Sequence, residues 1–142
     1  MVIRKITIEF TDDPNDIRNQ DLADYEQDKD GNKTFKIYQR NKSDLWKYWA
    51  DLCMFHELTE YESLDIKGIK EEEVTAFDKW FLENNLCGQP GDHPLSVYRA
   101  EHRNGENIER ILCAFWGLNW HDYFDKYAIP DNFKYNENYG KD

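Results

Sequence analysis

The sequence predicts an α+β domain in which a small N-terminal antiparallel sheet is followed by three or four helices. Before position 40, apolar and polar residues alternate with the period of two that is typical of strands. After position 44, apolar residues recur at helical spacing, and glycines separate these stretches. A chain that places its strands first and its helices afterwards favours the α+β class.

Two stretches account for the predicted strands. In residues 2–10, Ile6, Ile8 and Phe10 alternate with polar residues, which indicates a strand with one buried face. In residues 24–39, the pair Asp30-Gly31 interrupts the pattern and is a favoured turn of a β-hairpin. The N-terminal part of the chain is therefore expected to form a small sheet.

Helical periodicity predicts three helices, over residues 44–64, 70–84 and 96–115. Ser43 or Asp44 can cap the first helix, and Gly117 ends the third. The third helix is expected to pack on the core through an apolar stripe formed by Ile108, Ile111, Leu112 and Phe115.

The C-terminal part of the chain divides into two segments. A short aromatic segment at 120–127 follows the third helix and completes a single α+β domain over residues 1–127. Residues 128–142 carry Asn, Tyr and Lys with little periodicity, so they are predicted to form a loosely packed tail.

Charge and cysteine content limit the classes of partner and compartment. Eighteen basic and 29 acidic residues give a net charge of −11, which argues against nucleic acid as a ligand because phosphates need a basic surface. The charge serves solubility or attracts a basic protein partner. The cysteines are odd in number and not closely paired, which predicts a reducing cytoplasm. The sequence also shows no apolar run near the ~20 residues of a membrane span and no signal-peptide core, which predicts a protein without membrane attachment.

The pentapeptide 56–60 is the strongest functional signal in the chain. A helix turns about 100° per residue, so His56 and Glu60 project from one stripe, with Trp49, Leu52 and Cys53 nearby. An imidazole and a carboxylate among apolar neighbours need a partner, since an unpaired buried charge is costly. The two side chains can pair with each other, with a further polar residue, or with a metal ion.

The third helix carries a second polar cluster. His102, Glu106 and Glu109 share one face, which taken alone is interpreted as a solvated face because Glu is rarely buried. Two helices that each offer a His and a Glu are, however, a common way to build a metal site. We therefore predict a metal site with His56, Glu60 and His102 as ligands and Glu109 as a fourth ligand or a hydrogen-bond partner of a ligand.

The ligand types indicate the metal and its chemistry. Neutral imidazole and carboxylate suit Zn²⁺ first, with Fe²⁺ or Mn²⁺ as alternatives. A metal with an open position acidifies a bound water, and Glu57 is the predicted general base, as in His-Glu-x-x-His zinc proteases. Here Glu60 stands where those proteases have their second His. Cys53 and Cys113 can reach the same site, although buried free cysteines usually behave as small apolar residues.

Several motifs occur together in a recognisable order. They are His56-Glu57-Leu58-x-Glu60, Gly68-Ile69, Val74-x-Ala76-Phe77-Asp78, Gly91-Asp92-x-Pro94, Tyr98-Arg99-x-Glu101-His102, Ile108-Glu109-Arg110 and Leu118-x-Trp120. This order resembles a family of small uncharacterised bacterial and phage proteins that has no established activity. The resemblance implies a shared site that contains His56, Glu57, Glu60, His102 and Glu109, and it leaves out Glu106.

Three hypotheses follow from the sequence. The first is a metal-binding protein, which as an enzyme would be a metal-dependent hydrolase. Its order of strands and helices is similar to that of the zincin-type metalloproteases, and the similarity is one of fold order alone. The second is an acidic, non-enzymatic interaction protein of phage or mobile-element type that binds a basic partner. The third is an ordinary domain whose His and Glu residues hydrogen-bond the helices together. The sequence leaves open whether the protein is an enzyme.

Overall fold

The computed structural model describes residues 3–18, 21–40 and 44–129, and it confirms the α+β class. A three-stranded sheet at the N-terminal side is followed by four helices. Ser43, one of the two predicted caps, and residues 130–142 lie outside the described residues. At the start of the predicted tail, Ala128 packs against the main core and Ile129 is buried.

The sheet consists of β1 (Ile6–Thr11), β2 (Ala23–Gln27) and β3 (Lys33–Tyr38), in the order β1-β3-β2. As predicted, β2 and β3 form an antiparallel hairpin. The prediction of an entirely antiparallel sheet is wrong, because β1 runs parallel to β3. The alternation of side chains assigns residues to the two faces of a strand, but it carries no information on the direction of the neighbouring strand.

The apolar face of β1 is not buried as predicted. Ile6, Ile8 and Phe10 are all exposed, whereas Phe35 and Ile37 of β3 are almost completely buried. The reason is position in the sheet: α1 packs over β3 and β2, and β1 is the edge strand beyond that cover. The main core therefore lies between the hairpin and the helices.

The helices are α1 (Trp46–Lys67), α2 (Glu71–Glu83), α3 (Arg99–Trp116) and α4 (Trp120–Tyr123). The first three begin and end close to the predicted positions. Gly68 and Gly117 adopt the left-handed conformation that ends α1 and α3. A π-helical turn, Phe124–Ala128, follows α4.

The orientation of α3 differs from the prediction. Its buried residues are Glu101, Gly105, Glu109 and Cys113. Of the predicted apolar stripe, Leu112 packs against the core, but Ile111 is 49% and Phe115 is 81% exposed. The face interpreted as solvated is thus the one that packs on α1, because the polar groups of α1 supply partners for it.

Candidate metal centre

Three of the predicted ligands meet between α1 and α3. Glu60 Oε2 lies 3.2 Å from Nε2 of His56 and 3.0 Å from Nδ1 of His102. One ligand atom from each of the three residues lies within 4.8 Å of the other two. Their side chains are only 10%, 11% and 11% exposed for His56, Glu60 and His102. This buried His-Glu-His group can hold a metal ion.

A second layer of acidic residues surrounds the two imidazoles. Nδ1 of His56 lies 3.1 Å from Oε2 of Glu109, and Glu109 also accepts a hydrogen bond from the Tyr123 hydroxyl. Nε2 of His102 lies 3.7 Å from Oδ1 of Asp92. Each ring therefore has one nitrogen near Glu60 and the other facing a second carboxylate. Metal-bound histidines usually direct their second nitrogen at such a carboxylate. Glu109 stands as the partner of His56 and is not one of the three grouped residues.

Two glycines provide the space for the histidine rings. A Cβ atom at Gly105, within α3, would lie 2.8 Å from Cδ2 of His56. A Cβ atom at Gly91, in the 3-10 turn Pro90–Asp92, would lie 2.4 Å from Cγ of His102. Both distances are shorter than carbon–carbon contact permits, so any side chain at either position would displace a ring. In the sequence, the position of Gly105 inside a helical pattern was the signal that could have identified it as a packing position.

The electrostatics of the group follow from its burial and pairing. Burial alone would lower the pKa of His56, but Glu109 and Glu60 outweigh it and raise the pKa well above 6.5. For His102 burial also opposes the charge, and the Glu60 carboxylate again raises the pKa. Burial would raise the pKa of Glu60, yet the two histidines hold it at about 2. The group is thus a chain of ion pairs, and a metal ion that bound here would take the place of one proton on each imidazole.

Glu57, the predicted general base, lies beside this group on α1. Its side chain is partly exposed and lines the adjoining cavity. Burial, followed by the charge of Glu60, raises the pKa of Glu57 well above 4.5. A carboxylate of raised pKa accepts a proton more readily near neutral pH, which suits a general base.

A cavity of about 270 Å³ adjoins the group, and all five predicted site residues line it. Sequence reasoning missed Asp21, Asp78 and Tyr98, which also line it, because they come from other segments of the chain. Asp78 accepts a hydrogen bond of 2.7 Å from the Tyr98 hydroxyl, and burial raises the pKa of Asp78 to about 6. Glu106 is another lining residue, and it pairs with Arg110 at 2.7 Å. The cavity is therefore rich in carboxylates.

The cysteines do not belong to the His-Glu-His group. Cys53 and Cys113 are buried, and Cys87 is exposed. Burial raises the pKa of the Cys53 thiol, which keeps it protonated and apolar in character. This agrees with the alternative in which the two buried cysteines act as small apolar residues.

Across residues 3–18, 21–40 and 44–129, no helix has both the length and the apolar character needed to span a bilayer. No protein-family model, curated protein or solved structure matches the chain. The resemblance to a bacterial and phage family therefore stays a prediction, and the arguments for function rest on the geometry of the site.

Proposed function

We propose that this protein binds one divalent transition metal through His56, Glu60 and His102, with zinc as the best fit and iron or manganese as alternatives. The observation that carries the proposal is that one Glu60 oxygen lies between nitrogens of two imidazoles that come from different helices. Two nitrogens and one carboxylate oxygen are a ligand set of catalytic zinc sites. The carboxylates behind the rings support it, since they orient imidazoles for metal binding.

The cavity supports hydrolysis as the use of this metal. Three protein ligands leave a coordination position for water, and a metal in such a site makes that water acidic. Glu57 lines the same cavity and would take the proton as water attacks a carbonyl or phosphoryl centre. We therefore propose a metal-dependent hydrolase with Glu57 as the general base.

Metal content tests the proposal directly. Untagged protein from metal-supplemented medium is expected to carry about one mole of zinc, iron or manganese per chain, as in a single structural or catalytic site. His56→Ala and Glu60→Ala should lose the metal, whereas His121→Ala, which changes an exposed histidine on α4, should keep it. Wild-type protein without metal above background, or equal metal in all variants, would refute the site.

Catalysis is tested separately with the metal-loaded protein. Glu57→Gln should keep the metal and lose peptidase or esterase turnover by ~100-fold or more, as expected for removal of a general base. Turnover that survives in Glu57→Gln would remove Glu57 from the mechanism and leave the metal site standing.

A second candidate function is binding of a basic protein without catalysis, with the His-Glu-His group acting only to hold α1 and α3 together. The exposed apolar face of α3 favours it, since Ile111, Phe115 and Trp116 lie open on a molecule of net charge −11. A partner captured at low salt and released by Phe115→Ser would support this function. Failure to capture any basic protein at low salt, where charge attraction is strongest, would count against it.

A further inference from the structure

We infer that Tyr123 is a positioning residue of the metal site, which fixes the His56 ring through Glu109. This inference rests on the proposed function, because it assigns to Tyr123 an influence on metal affinity although its hydroxyl contacts none of the three ligands.

The contacts form a continuous chain from Tyr123 to the site. The Tyr123 hydroxyl donates to Oε1 of Glu109, and Oε2 of Glu109 lies 3.1 Å from Nδ1 of His56. Nε2, on the opposite side of the His56 ring, lies 3.2 Å from Glu60. A proton held on Nδ1 by Glu109 leaves the Nε2 lone pair free for a metal. Because both Glu109 oxygens are engaged, the carboxylate cannot turn away from His56 without breaking one contact.

Burial makes the Tyr123 hydroxyl difficult to replace. Although both residues line the cavity, Tyr123 is only 1% and Glu109 only 5% exposed, so little of the Glu109 carboxylate is open to a replacement donor from water. A buried carboxylate that loses a donor is costly and rearranges to find another. The rearrangement open to Glu109 is rotation, and rotation would release the His56 ring.

The fold places this hydroxyl through a short and well-defined connection. Gly117 ends α3 in the left-handed conformation, and Asn119 begins α4 by accepting a hydrogen bond of 3.0 Å from the backbone of Asp122. The Tyr123 ring then stacks on the ring of Tyr127, with centroids 5.7 Å apart. Tyr123 thus reaches back to Glu109, which lies on α3 itself.

Tyr127 provides a matched control. Its ring is also buried, and its hydroxyl donates to the carbonyl oxygen of Tyr38 at 2.6 Å. Tyr123→Phe and Tyr127→Phe each remove one buried hydroxyl and keep the aromatic ring, so they should cost similar stability. Only Tyr123→Phe removes a donor to Glu109.

The experiment measures the zinc Kd by competition with a chromophoric chelator, and folding by circular dichroism. Tyr123→Phe is expected to weaken zinc binding by about tenfold, and Tyr127→Phe by less than about twofold, because partners behind metal ligands influence affinity on this scale. Glu109→Gln should weaken binding as well, and the Tyr123→Phe/Glu109→Gln double variant should be no weaker than Glu109→Gln alone, since the two residues act in one chain.

Two results of the affinity measurement would overturn the inference alone. One is a wild-type protein that binds one zinc, lost in His56→Ala, together with a Tyr123→Phe affinity equal to that of Tyr127→Phe. The other is full additivity in the double variant. A wild-type protein that binds no zinc would overturn both the inference and the proposed function. As a second measurement, the His56 Nδ1 proton should exchange faster with water in Tyr123→Phe than in Tyr127→Phe; equal exchange would also refute the role.

Discussion

Glu60 is the residue on which the site depends, because one of its carboxylate oxygens serves both imidazoles. Spacing along each helix was enough to predict that His56 and Glu60 share one face of α1 and that His102 and Glu109 share one face of α3. That the two faces meet was a hypothesis taken from the usual design of His/Glu metal sites. Spacing could not predict Asp92, Tyr123 or the two glycines, which come from turns and helices whose approach only the tertiary structure decides.

Asp78 gives a pH-dependent prediction at the same scale. Its folded-state pKa of about 6 lies above the usual 3.8, so the folded state holds this proton more tightly than the unfolded state, and stability falls as pH rises from about 4 to 6. Asp78→Asn removes the charge and can still accept the Tyr98 hydrogen bond. The variant should be about 1–2 kcal/mol more stable than wild type at pH 7.5 and nearly equal to it at pH 4.

Urea unfolding at the two pH values checks this expectation. Asp125→Asn, on the exposed side of the π-helical turn, serves as the control for the substitution itself. A stability difference for Asp78→Asn that is the same at pH 4 and pH 7.5 would contradict the assignment of the effect to the Asp78 charge.

At the scale of the element, α3 packs with a polar face inwards and with much of its apolar stripe outwards. Its interior face carries Glu101 and Glu109, while Phe115 is exposed. Hydrophobic periodicity predicted the existence and the end of α3, but it assigned the wrong buried face. The physical reason is that the free-energy cost of burying a carboxylate falls when a cation or imidazole on a neighbouring element pairs with it. Lys67 pairs with Glu101 in this way, and His56 pairs with Glu109.

Gly105 gives the prediction that belongs to this helix. Gly→Ala within a helix normally stabilises by about 0.5–1 kcal/mol, but here the new methyl group would meet the His56 ring at 2.8 Å. Gly105→Ala is therefore expected to destabilise the protein by about 1–3 kcal/mol through overpacking and to abolish zinc binding. Asn104→Ala, at the adjacent exposed position, is the control and should leave zinc binding unchanged. A rise in Tm for Gly105→Ala with intact zinc binding would show that the two helices are not held at this distance.

At the scale of the whole molecule, the site joins parts of the chain that are distant in sequence. Its residues come from α1 and α3, and the turn Pro90–Asp92 supports His102. A metal bound here would link these elements, so its binding free energy adds to the stability of the folded state. The same geometry pairs the helices electrostatically: His56–Glu109 and His102–Glu60 join α1 to α3, and His56–Glu60 is a pair within α1.

Zinc should therefore stabilise the whole protein. At a free zinc concentration of about 100 times Kd, the free energy of unfolding should rise by about 2.7 kcal/mol, with a Tm increase of several degrees. His102→Ala should lose this increase, and His121→Ala should keep it, as measured by calorimetry with and without zinc. An equal increase in His102→Ala would place the bound zinc elsewhere on the acidic surface.

The sequence by itself determined the α+β class, the hairpin, the end of the third helix at Gly117, and the helical stripes that carry the His and Glu residues. These are local properties, set by periodicity and by the backbone freedom of glycine. Only the tertiary structure decided that β1 pairs in parallel, that α3 turns its polar face inwards, and that Tyr123 reaches Glu109. Those features depend on which distant segments can approach one another, and here the absence of a side chain at Gly105 and the pairing of buried charges set that approach.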